Sequence, residues 1–111
     1  MQEGDYRRLI QELFDRVEKA LDRAEVDPDV LEADQSQGAL TLRFGSGARC
    51  ILSAQPSVRQ LWMAVAARGE AFHFNYDAAQ GKWLDDKGRG IEPMTYLASY
   101  IQEAVGVALK F

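Results

Sequence analysis

The stretch ALTLRFGSGARCILS at residues 39–53 decides the fold class. Leu40, Leu42 and Phe44 alternate with other residues, so they share one face of an extended chain. The segment GSG at 45–47 favours a tight reversal, and a second alternating run follows it. Two such runs joined by glycines predict an antiparallel β-hairpin with one buried face.

Runs of the same kind continue on both sides of this hairpin and predict an antiparallel meander. Glycine, proline or polar residues separate the runs at 55–57, 68–70 and 78–81, where turning is favoured over pairing. The first run has the weakest alternation. The predicted strands are 30–34, 39–44, 48–53, 59–66, 71–76 and 82–84.

Helical periodicity marks both ends of the chain. From residue 4 or 5 to about residue 24, apolar residues recur at steps of three and four, which predicts an amphipathic helix. The sequence DPD at 27–29 ends it, because proline lacks a backbone donor. A second helix is predicted from Pro93, a favourable first-turn residue, to Gly106, which closes it. The apolar end VALKF is expected to pack back over the helices.

Two amphipathic helices and an alternating sheet each need one face covered, and two helices on one side of the sheet provide this. We therefore predict an α+β fold, a two-layer α/β sandwich with both terminal helices on one face of an antiparallel sheet. With 111 residues, of which 47% are hydrophobic, the chain can bury one core, so residues 1–111 are predicted to form a single domain. The opposite sheet face is a candidate binding surface.

Composition excludes several kinds of protein. No apolar run approaches the roughly 20 residues of a membrane-spanning helix, and the start MQEGDYRR is unlike a signal peptide, so a cytoplasmic location without membrane contact is expected. One cysteine, Cys50, permits no internal disulfide, and its alternation with Arg49 and Ile51 predicts a small buried hydrophobe. No Cys or His partner has the spacing of a zinc site.

Charge is distributed unevenly along the chain. Residues 1–34 carry 11 acidic and 5 basic residues, whereas the rest carries 6 acidic and 8 basic residues. The first third therefore creates a negative field that attracts cations or positively charged partners. Nucleic acid is not an expected partner for such a surface.

Carboxylates in this first third form a series. Four spaced by three, four and three lie on one face of the predicted helix, and four more continue into the turn and the next strand. They are Asp15, Glu18, Asp22 and Glu25, followed by Asp27, Asp29, Glu32 and Asp34. Exposed carboxylates are hard oxygen ligands that bind iron, manganese, magnesium or calcium loosely and unselectively. The alternative, supported by the interleaved Lys19 and Arg23, is a solvated helix face without a ligand.

The segment QPSVRQLWMA at 55–64 carries a second candidate site. If Leu61 points to the helices, Gln60 and Trp62 point to solvent, and an exposed tryptophan on a sheet favours a protein contact. The alternative is that a bulge or another register places Trp62 in the core.

Catalytic residues are not evident. His73 lies between two phenylalanines and shares its face with Asn75, and no Ser, Cys or second His stands beside it. Asp85 and Asp86, in GKWLDDKGRG, are expected to cap backbone donors of a turn. We therefore expect a binding protein and not an enzyme.

Several segments, in order along essentially the whole chain, resemble the bacterial branch of the frataxin family. They are the acidic first helix ending in EVDPDVLEAD, then GALTLRFGSGA, QPSVRQLWMA, GEAFHFNYD, KWLDDKGRG and YIQEAVG. The most specific parts are Gln60-Leu61-Trp62 with Ala64, the His73-Phe74 pair, and Trp83 followed by Asp85 and by Gly88 to Gly90. This resemblance implies the same α+β sandwich.

The resemblance also implies a role in iron-sulfur cluster assembly as an iron donor or sensor that regulates the cysteine desulfurase complex. Ferrous and ferric iron would bind weakly to the first helix and first strand. The matching positions are Glu18, Asp22, Glu25, Asp27, Asp29, Glu32 and Asp34. The desulfurase and the iron-sulfur scaffold protein are the implied partners. Their implied contacts are Gln60, Trp62, Gln55, Asp22 and Glu25.

Departures from the family pattern weaken the expected iron binding. Lys19, Arg23 and Leu31 stand where close bacterial members usually carry acids. Two alternatives therefore stay open, a protein-only adaptor with negligible metal binding and a weak ferroxidase. The expected state is a monomer, with iron-driven oligomers left open.

Overall fold

Along the chain, one helix precedes and one helix follows six strands, in the order that the sequence predicts. The computed structural model describes all 111 residues. Its elements are α1 (Glu3–Arg23), β1 (Leu31–Ser36), β2 (Ala39–Phe44), β3 (Arg49–Gln55), β4 (Gln60–Val65), β5 (Glu70–Asp77), β6 (Lys82–Asp85) and α2 (Pro93–Val105). Short 3-10 turns, Pro56–Val58 and Ala66–Arg68, join β3 to β4 and β4 to β5. The predicted α+β class is confirmed.

The strands form one antiparallel sheet in sequence order, β1-β2-β3-β4-β5-β6. Its register places apolar residues of adjacent strands opposite one another on the inner face, as in Leu42 opposite Cys50 and Leu52 opposite Met63. The residues between them point to the outer face, because successive side chains of a strand alternate. The predicted meander is therefore confirmed, with its hydrophobic face turned inward.

A single core of 23 buried residues joins the inner face of the sheet to both helices. The buried residues of α1 are Tyr6, Ile10, Leu13, Phe14, Val17, Ala20 and Leu21. Those of α2 are Pro93, Met94, Leu97, Tyr100 and Ile101. Burying one large apolar side chain stabilises a fold by about 1.5–3 kcal/mol. Because every element contributes to the same core, the two helices and the sheet depend on one another.

The ends of both helices lie within two residues of their predicted limits. Helix α1 begins at Glu3, one or two residues before the predicted start, and its acidic first turn suits the positive end of the helix dipole. Helix α2 has the predicted limits, since Pro93 is its first residue and Gly106 adopts the left-handed conformation that ends it. The Glu92 carboxylate caps it by accepting from the backbone N–H groups of Met94 and Thr95. Neither helix has the length and apolarity required to cross a bilayer.

Strand limits differ from prediction where pairing overrides local preference. Strand β1 starts after Val30, because the backbone N–H of Val30 closes a turn by donating to the Asp27 carbonyl at 2.8 Å. It then extends to Ser36, opposite Ala39, beyond the predicted end. Polar residues at this end have little strand preference of their own, so the neighbouring strand β2 holds them extended.

The C-terminal residues pack back over the helices, as predicted. Leu109 is buried in the core, and Val107 and Phe111 are half-buried against it. The Arg23 guanidinium donates to the Lys110 carbonyl oxygen at 3.3 Å. The tail is thereby fixed beside the C-terminal end of α1.

A buried carboxylate organises the loop between β6 and α2. The Asp85 side chain accepts from the backbone N–H groups of Arg89 and Ile91, at 3.1 and 3.0 Å, and from Arg89 Nε at 2.8 Å. The hydrogen bond from Arg89, with the two backbone donors, lowers the pKa of Asp85. The capping role predicted for Asp85 is confirmed. For Asp86 it is wrong, because its carboxylate accepts from the Gln60 side chain on the outer sheet face.

Candidate binding surfaces

The predicted acidic positions form one band that follows the last turns of α1, the turn after it and β1. We call Glu18, Asp22, Glu25, Asp27, Asp29, Glu32 and Asp34 the acidic ridge. Glu18 is half-buried and the other six are exposed. Glu18, Asp22, Glu25 and Glu32 line one groove, and Asp27, Asp29 and Asp34 are exposed along the same stretch of chain, so all seven are accessible to water and to partners.

Four carboxylates of the acidic ridge have no partner within the protein. Glu18, Asp22, Glu25 and Asp29 form no ion pair and accept no side-chain hydrogen bond. Asp27 differs from these four, because its Oδ1 accepts from the backbone N–H of Asp29 at 2.9 Å. Lys19 and Arg23, although interleaved on α1, neutralise none of them directly. Unpaired like charges on neighbouring turns repel, and a bound cation or a positive surface relieves that repulsion.

Two carboxylates at the strand end of the acidic ridge are partly neutralised. Arg43 on β2 lies 3.8 Å from Glu32 and 3.6 Å from Asp34, and about half of each side chain is exposed. Exposed ion pairs of this length contribute at most about 1 kcal/mol. They nevertheless reduce the negative charge at β1, so the helical part and the turn dominate the field of the ridge.

An open groove of about 410 Å³ lies between the end of α1 and β1. Its floor is apolar, formed by residues such as Leu21, Val26 and Leu31, and its rim carries acidic-ridge carboxylates. Leu31 is part of the core, so this position serves packing. The groove combines an apolar base with negative charge at its edge.

The acidic ridge is not a preformed metal site. No group of three or more His, Cys, Asp or Glu side chains is placed to hold one ion. A cation would therefore be bound by one or two carboxylates and completed by water, which gives weak and unselective binding. This geometry fits hard cations and does not fit a permanently held metal.

The outer face of the sheet carries the second candidate surface. Gln60 and Trp62 lie on β4 with the outward phase, whereas Leu61 and Met63 are buried. The predicted outward position of Trp62 is thus confirmed, and the alternative of a core position is wrong. We call Gln55, Gln60, Trp62, His73 and Asn75 the Trp62 face.

Hydrogen bonds fix the side chains of the Trp62 face. Trp62 Nε1 donates to Gln60 Oε1 at 2.8 Å, and Gln60 Nε2 donates to Asn75 Oδ1 at 3.2 Å and to Asp86 Oδ2 at 3.3 Å. The imidazole of His73 stacks on the Trp62 ring. A half-exposed aromatic side chain that is already ordered loses little conformational entropy on binding. This arrangement suits a protein contact.

Tyr6, one of the periodic apolar residues of the first helix, links the Trp62 face to α1 through its hydroxyl group. The Tyr6 hydroxyl donates to the Gln60 carbonyl at 2.6 Å and accepts from the Gln55 backbone N–H at 2.8 Å. Burial raises the pKa of Tyr6. Gln55 is therefore anchored through its backbone, and its side chain shares the outer face with Ser53, to which it donates at 3.4 Å.

Neither Cys50 nor His73 is placed to act as a nucleophile or a general base. Cys50 is buried in the core, and burial raises the pKa of its thiol to about 12, which disfavours the reactive thiolate. The predicted buried position of Cys50 is confirmed. His73 lies 3.7 Å from Asp86 through its Nδ1, without a neighbouring hydroxyl or thiol.

Comparison with known proteins identifies the family. A family model described as a frataxin-like domain matches residues 1–107. The chain belongs to the frataxin family. The curated relatives of this frataxin include the iron-sulfur cluster assembly protein CyaY of Delftia acidovorans, 37% identical over 100% of this chain and 97% of the relative. The CyaY of Stutzerimonas stutzeri is 40% identical over 100% of this chain and 96% of its own length.

Solved structures of frataxins share the fold. A frataxin of the CyaY family from Psychromonas ingrahamii superposes with a TM-score of 0.86 at 25% identity, covering 99% of this chain and 97% of that one. A trimeric frataxin from Saccharomyces cerevisiae, complexed with ferrous iron, gives a TM-score of 0.70 at 23% identity, covering 96% and 88%. These likenesses support the two-layer architecture over the whole chain.

Proposed function

We propose that this frataxin acts in iron-sulfur cluster assembly as an iron-responsive binding protein that regulates a cysteine desulfurase. The observation that carries the proposal is the set of four unpaired carboxylates, Glu18, Asp22, Glu25 and Asp29, on one exposed band. The name of the CyaY relatives supports the pathway. The proposed location is the cytoplasm, and the proposed state without iron is a monomer.

Iron is proposed to bind the acidic ridge weakly, as a cargo or signal. Isolated carboxylates provide hard oxygen ligands that fit ferrous and ferric iron as well as other divalent cations. The absence of a three-ligand cluster predicts rapid exchange of the ion. The yeast frataxin of the same fold is complexed with ferrous iron, so ferrous iron is the first cation to test.

A titration with ferrous iron under anaerobic conditions tests this part of the proposal. Amide signals of the ¹⁵N-labelled protein should broaden first at residues 18–29, because the unpaired carboxylates concentrate there. Asp22→Asn combined with Glu25→Gln should reduce the broadening, whereas Asp5→Asn, at the opposite end of α1, should not. Broadening spread evenly over the molecule would refute the site.

The desulfurase is proposed to bind the acidic ridge through a basic surface, and the scaffold protein to contact the Trp62 face. Opposite charges accelerate encounter and fix orientation. The ordered Trp62 ring supplies the large, nearly rigid contact typical of interface hot spots. Asp22, Glu25, Gln55, Gln60 and Trp62 are the proposed contacts.

Charge reversal tests the proposed desulfurase contact, and a chelator separates regulation by iron from pure protein binding. Asp22→Lys with Glu25→Lys should weaken desulfurase binding at least about tenfold, and raising the salt concentration should weaken the binding of the unaltered protein. If chelator leaves binding and regulation of the unaltered protein unchanged, the adaptor alternative is correct. The pairing of Glu32 and Asp34 with Arg43 favours that alternative, because it removes ligands and leaves an acidic docking surface.

Enzymatic activity is not part of the proposal. Catalysed oxidation of ferrous iron by oxygen would need ions held at fixed positions, whereas no three carboxylates of the acidic ridge are placed to hold one ion. Oxygen consumption in the presence of excess ferrous iron should therefore equal that of the double variant Asp22→Asn with Glu25→Gln. A multiple-turnover rate that this variant abolishes would establish the ferroxidase alternative.

A further inference from the structure

A second groove, largely apolar, adjoins the acidic ridge at Asp29. Its volume is about 630 Å³, and it lies between the turn before β1, the β2–β3 hairpin and the C-terminal end of α2. Its apolar lining includes Val30, Phe44, Ala67, Tyr100, Ala104 and Val105. Asp29, an unpaired member of the acidic ridge, stands at its edge. The groove and the acidic ridge are therefore one continuous surface.

Close backbone packing builds one wall of this groove. The Gly45 N–H donates to the Val30 carbonyl at 2.9 Å, and a Cβ at residue 45 would lie 2.3 Å from the Asp29 carbonyl oxygen. Only glycine permits this approach of the turn to the hairpin. Val30, on this wall, is 38% exposed and adjacent in the chain to the unpaired Asp29. An exposed valine contributes more when covered by a partner than when left in water.

The net charge of the groove lining has the same sign as the acidic ridge. Arg68, the one basic residue that lines the groove, pairs with Glu103 and packs over the Tyr100 ring at 4.8 Å. Glu103 thereby neutralises Arg68 within the groove, and Asp29 is left as the unpaired charged side chain. A partner segment that enters the groove meets an apolar interior and a negative rim.

We propose that this groove receives an apolar side chain of the same basic partner protein that the acidic ridge binds. The occupant is a segment in which a leucine, methionine or phenylalanine lies close to lysine or arginine. The cation meets Asp29 and the adjoining ridge, and the apolar side chain covers the exposed Val30 and Ala104. This inference rests on the proposed function, since it assigns an anchor to the partner surface proposed there.

Other occupants fit the observations less well. The chain's own C-terminal tail is fixed elsewhere, because Leu109 is buried and the Lys110 carbonyl accepts from Arg23 on α1. A second copy of the chain would bring two unpaired Asp29 carboxylates, with their acidic ridges, to the same interface. Like charges at an interface oppose association.

Two substitutions on exposed positions test the groove without disturbing the core. Ala104→Trp fills it from α2, and Gln102→Trp, on the same helix outside the groove, is the matched control. Val30→Thr keeps the shape of the side chain but replaces one methyl group by a hydroxyl, and Val58→Thr, at another exposed valine, is the control for the same exchange. Circular dichroism and urea unfolding establish that all four variants fold.

Fluorescence anisotropy measures the dissociation constant between each variant and a purified cysteine desulfurase. The charge-reversed variant Asp22→Lys with Glu25→Lys is measured in parallel. Ala104→Trp should weaken binding about tenfold and Val30→Thr about threefold, with both controls unchanged. If the charge reversal abolishes binding but the groove variants do not weaken it, the groove inference is wrong and the proposed docking stands. If the charge reversal has no effect, the proposed function itself fails. Self-association that Ala104→Trp abolishes would show a second copy in the groove and overturn the inference.

Discussion

Trp62 and His73 lie face to face on the outer side of the sheet, with ring centroids 4.3 Å apart and 15° between the ring planes. They occupy directly opposed positions on β4 and β5. Stacking of this kind contributes about 0.5–1.5 kcal/mol beyond the buried area. Together with the Trp62 Nε1 bond to Gln60, it holds the indole in one orientation for a partner.

Removal of the imidazole should release the indole ring. We expect His73→Ala to lower the free energy of unfolding by about 1 kcal/mol and to shift the Trp62 emission to longer wavelength, because more of the ring meets water. The measurement uses a Trp83→Phe background so that Trp62 alone emits. Asn75→Ala, on the same face but outside the stack, should leave the emission maximum in place, and an unchanged maximum in the His73 variant would contradict the stacking.

The sequence alone predicts those features that depend on one residue or on a local pattern, such as a helix end or the inner face of a strand. The limits of α2 were predicted correctly because Pro93 suits a first turn and Gly106 adopts a positive φ of 73°. The alternation of Leu40, Leu42 and Phe44 likewise fixed the inner face of β2. The outward position of Trp62 follows from the same alternation on β4 once the register is known.

Long-range contacts could not be predicted from the sequence, because they depend on the strand register and on how α1 packs on the sheet. Arg43 meets Glu32 and Asp34 only because β1 and β2 pair with Glu32 opposite Arg43. The Tyr6 hydroxyl reaches the Gln60 carbonyl, 54 residues away, through the packing of α1 on the sheet. The acidic ridge could thus be predicted as a set of positions, but not which of its carboxylates lack partners.

A methyl group at residue 45 should disrupt the contact between the turn and the hairpin. The new Cβ would lie 2.3 Å from the Asp29 carbonyl oxygen, so the backbone must move and the Gly45 N–H bond to Val30 is strained or lost. We expect Gly45→Ala to lower the free energy of unfolding by about 2–3 kcal/mol in urea titrations. Gly4→Ala, where no atom lies within 4 Å of the new Cβ, should be neutral or stabilising. Equal stability of the two variants would contradict the close approach.

The Asp85 carboxylate should contribute stability that depends on pH. Its pKa is lowered in the folded protein, mainly by the hydrogen bond from Arg89, so this contribution is present above the pKa of an unfolded aspartate, about 4, and is lost as pH falls through the lower folded value. Asp85→Asn should therefore be less stable than the unaltered protein near neutral pH, and the difference should shrink in strongly acidic solution. Urea unfolding across this range measures it. The exposed Asp86→Asn should show a smaller effect, and a difference that stays constant with pH would refute the coupling.

The left-handed backbone conformation of Glu25 is unfavourable for a residue with a side chain and would suit glycine better. Glu25 ends α1 with a positive φ of 53°, and Val26 donates to the Leu21 carbonyl at 3.3 Å across this bend. Left-handed backbone in a residue with a side chain costs on the order of 1 kcal/mol, so Glu25→Gly should raise the free energy of unfolding by about that amount. The same exchange removes one of the four unpaired carboxylates, and should weaken both ferrous iron binding and desulfurase binding.

Gln37→Gly separates the two effects, because Gln37 has a positive φ of 51° and lies outside the acidic ridge. Urea unfolding should show both glycine variants to be more stable than the unaltered protein, whereas amide broadening by ferrous iron and desulfurase anisotropy should change only for Glu25→Gly. Such a result would mean that the acidic side chain is retained at residue 25 for binding, against the preference of the backbone. If Glu25→Gly gains stability and keeps full binding of both ligands, the part of the acidic ridge at the end of α1 is not the docking surface.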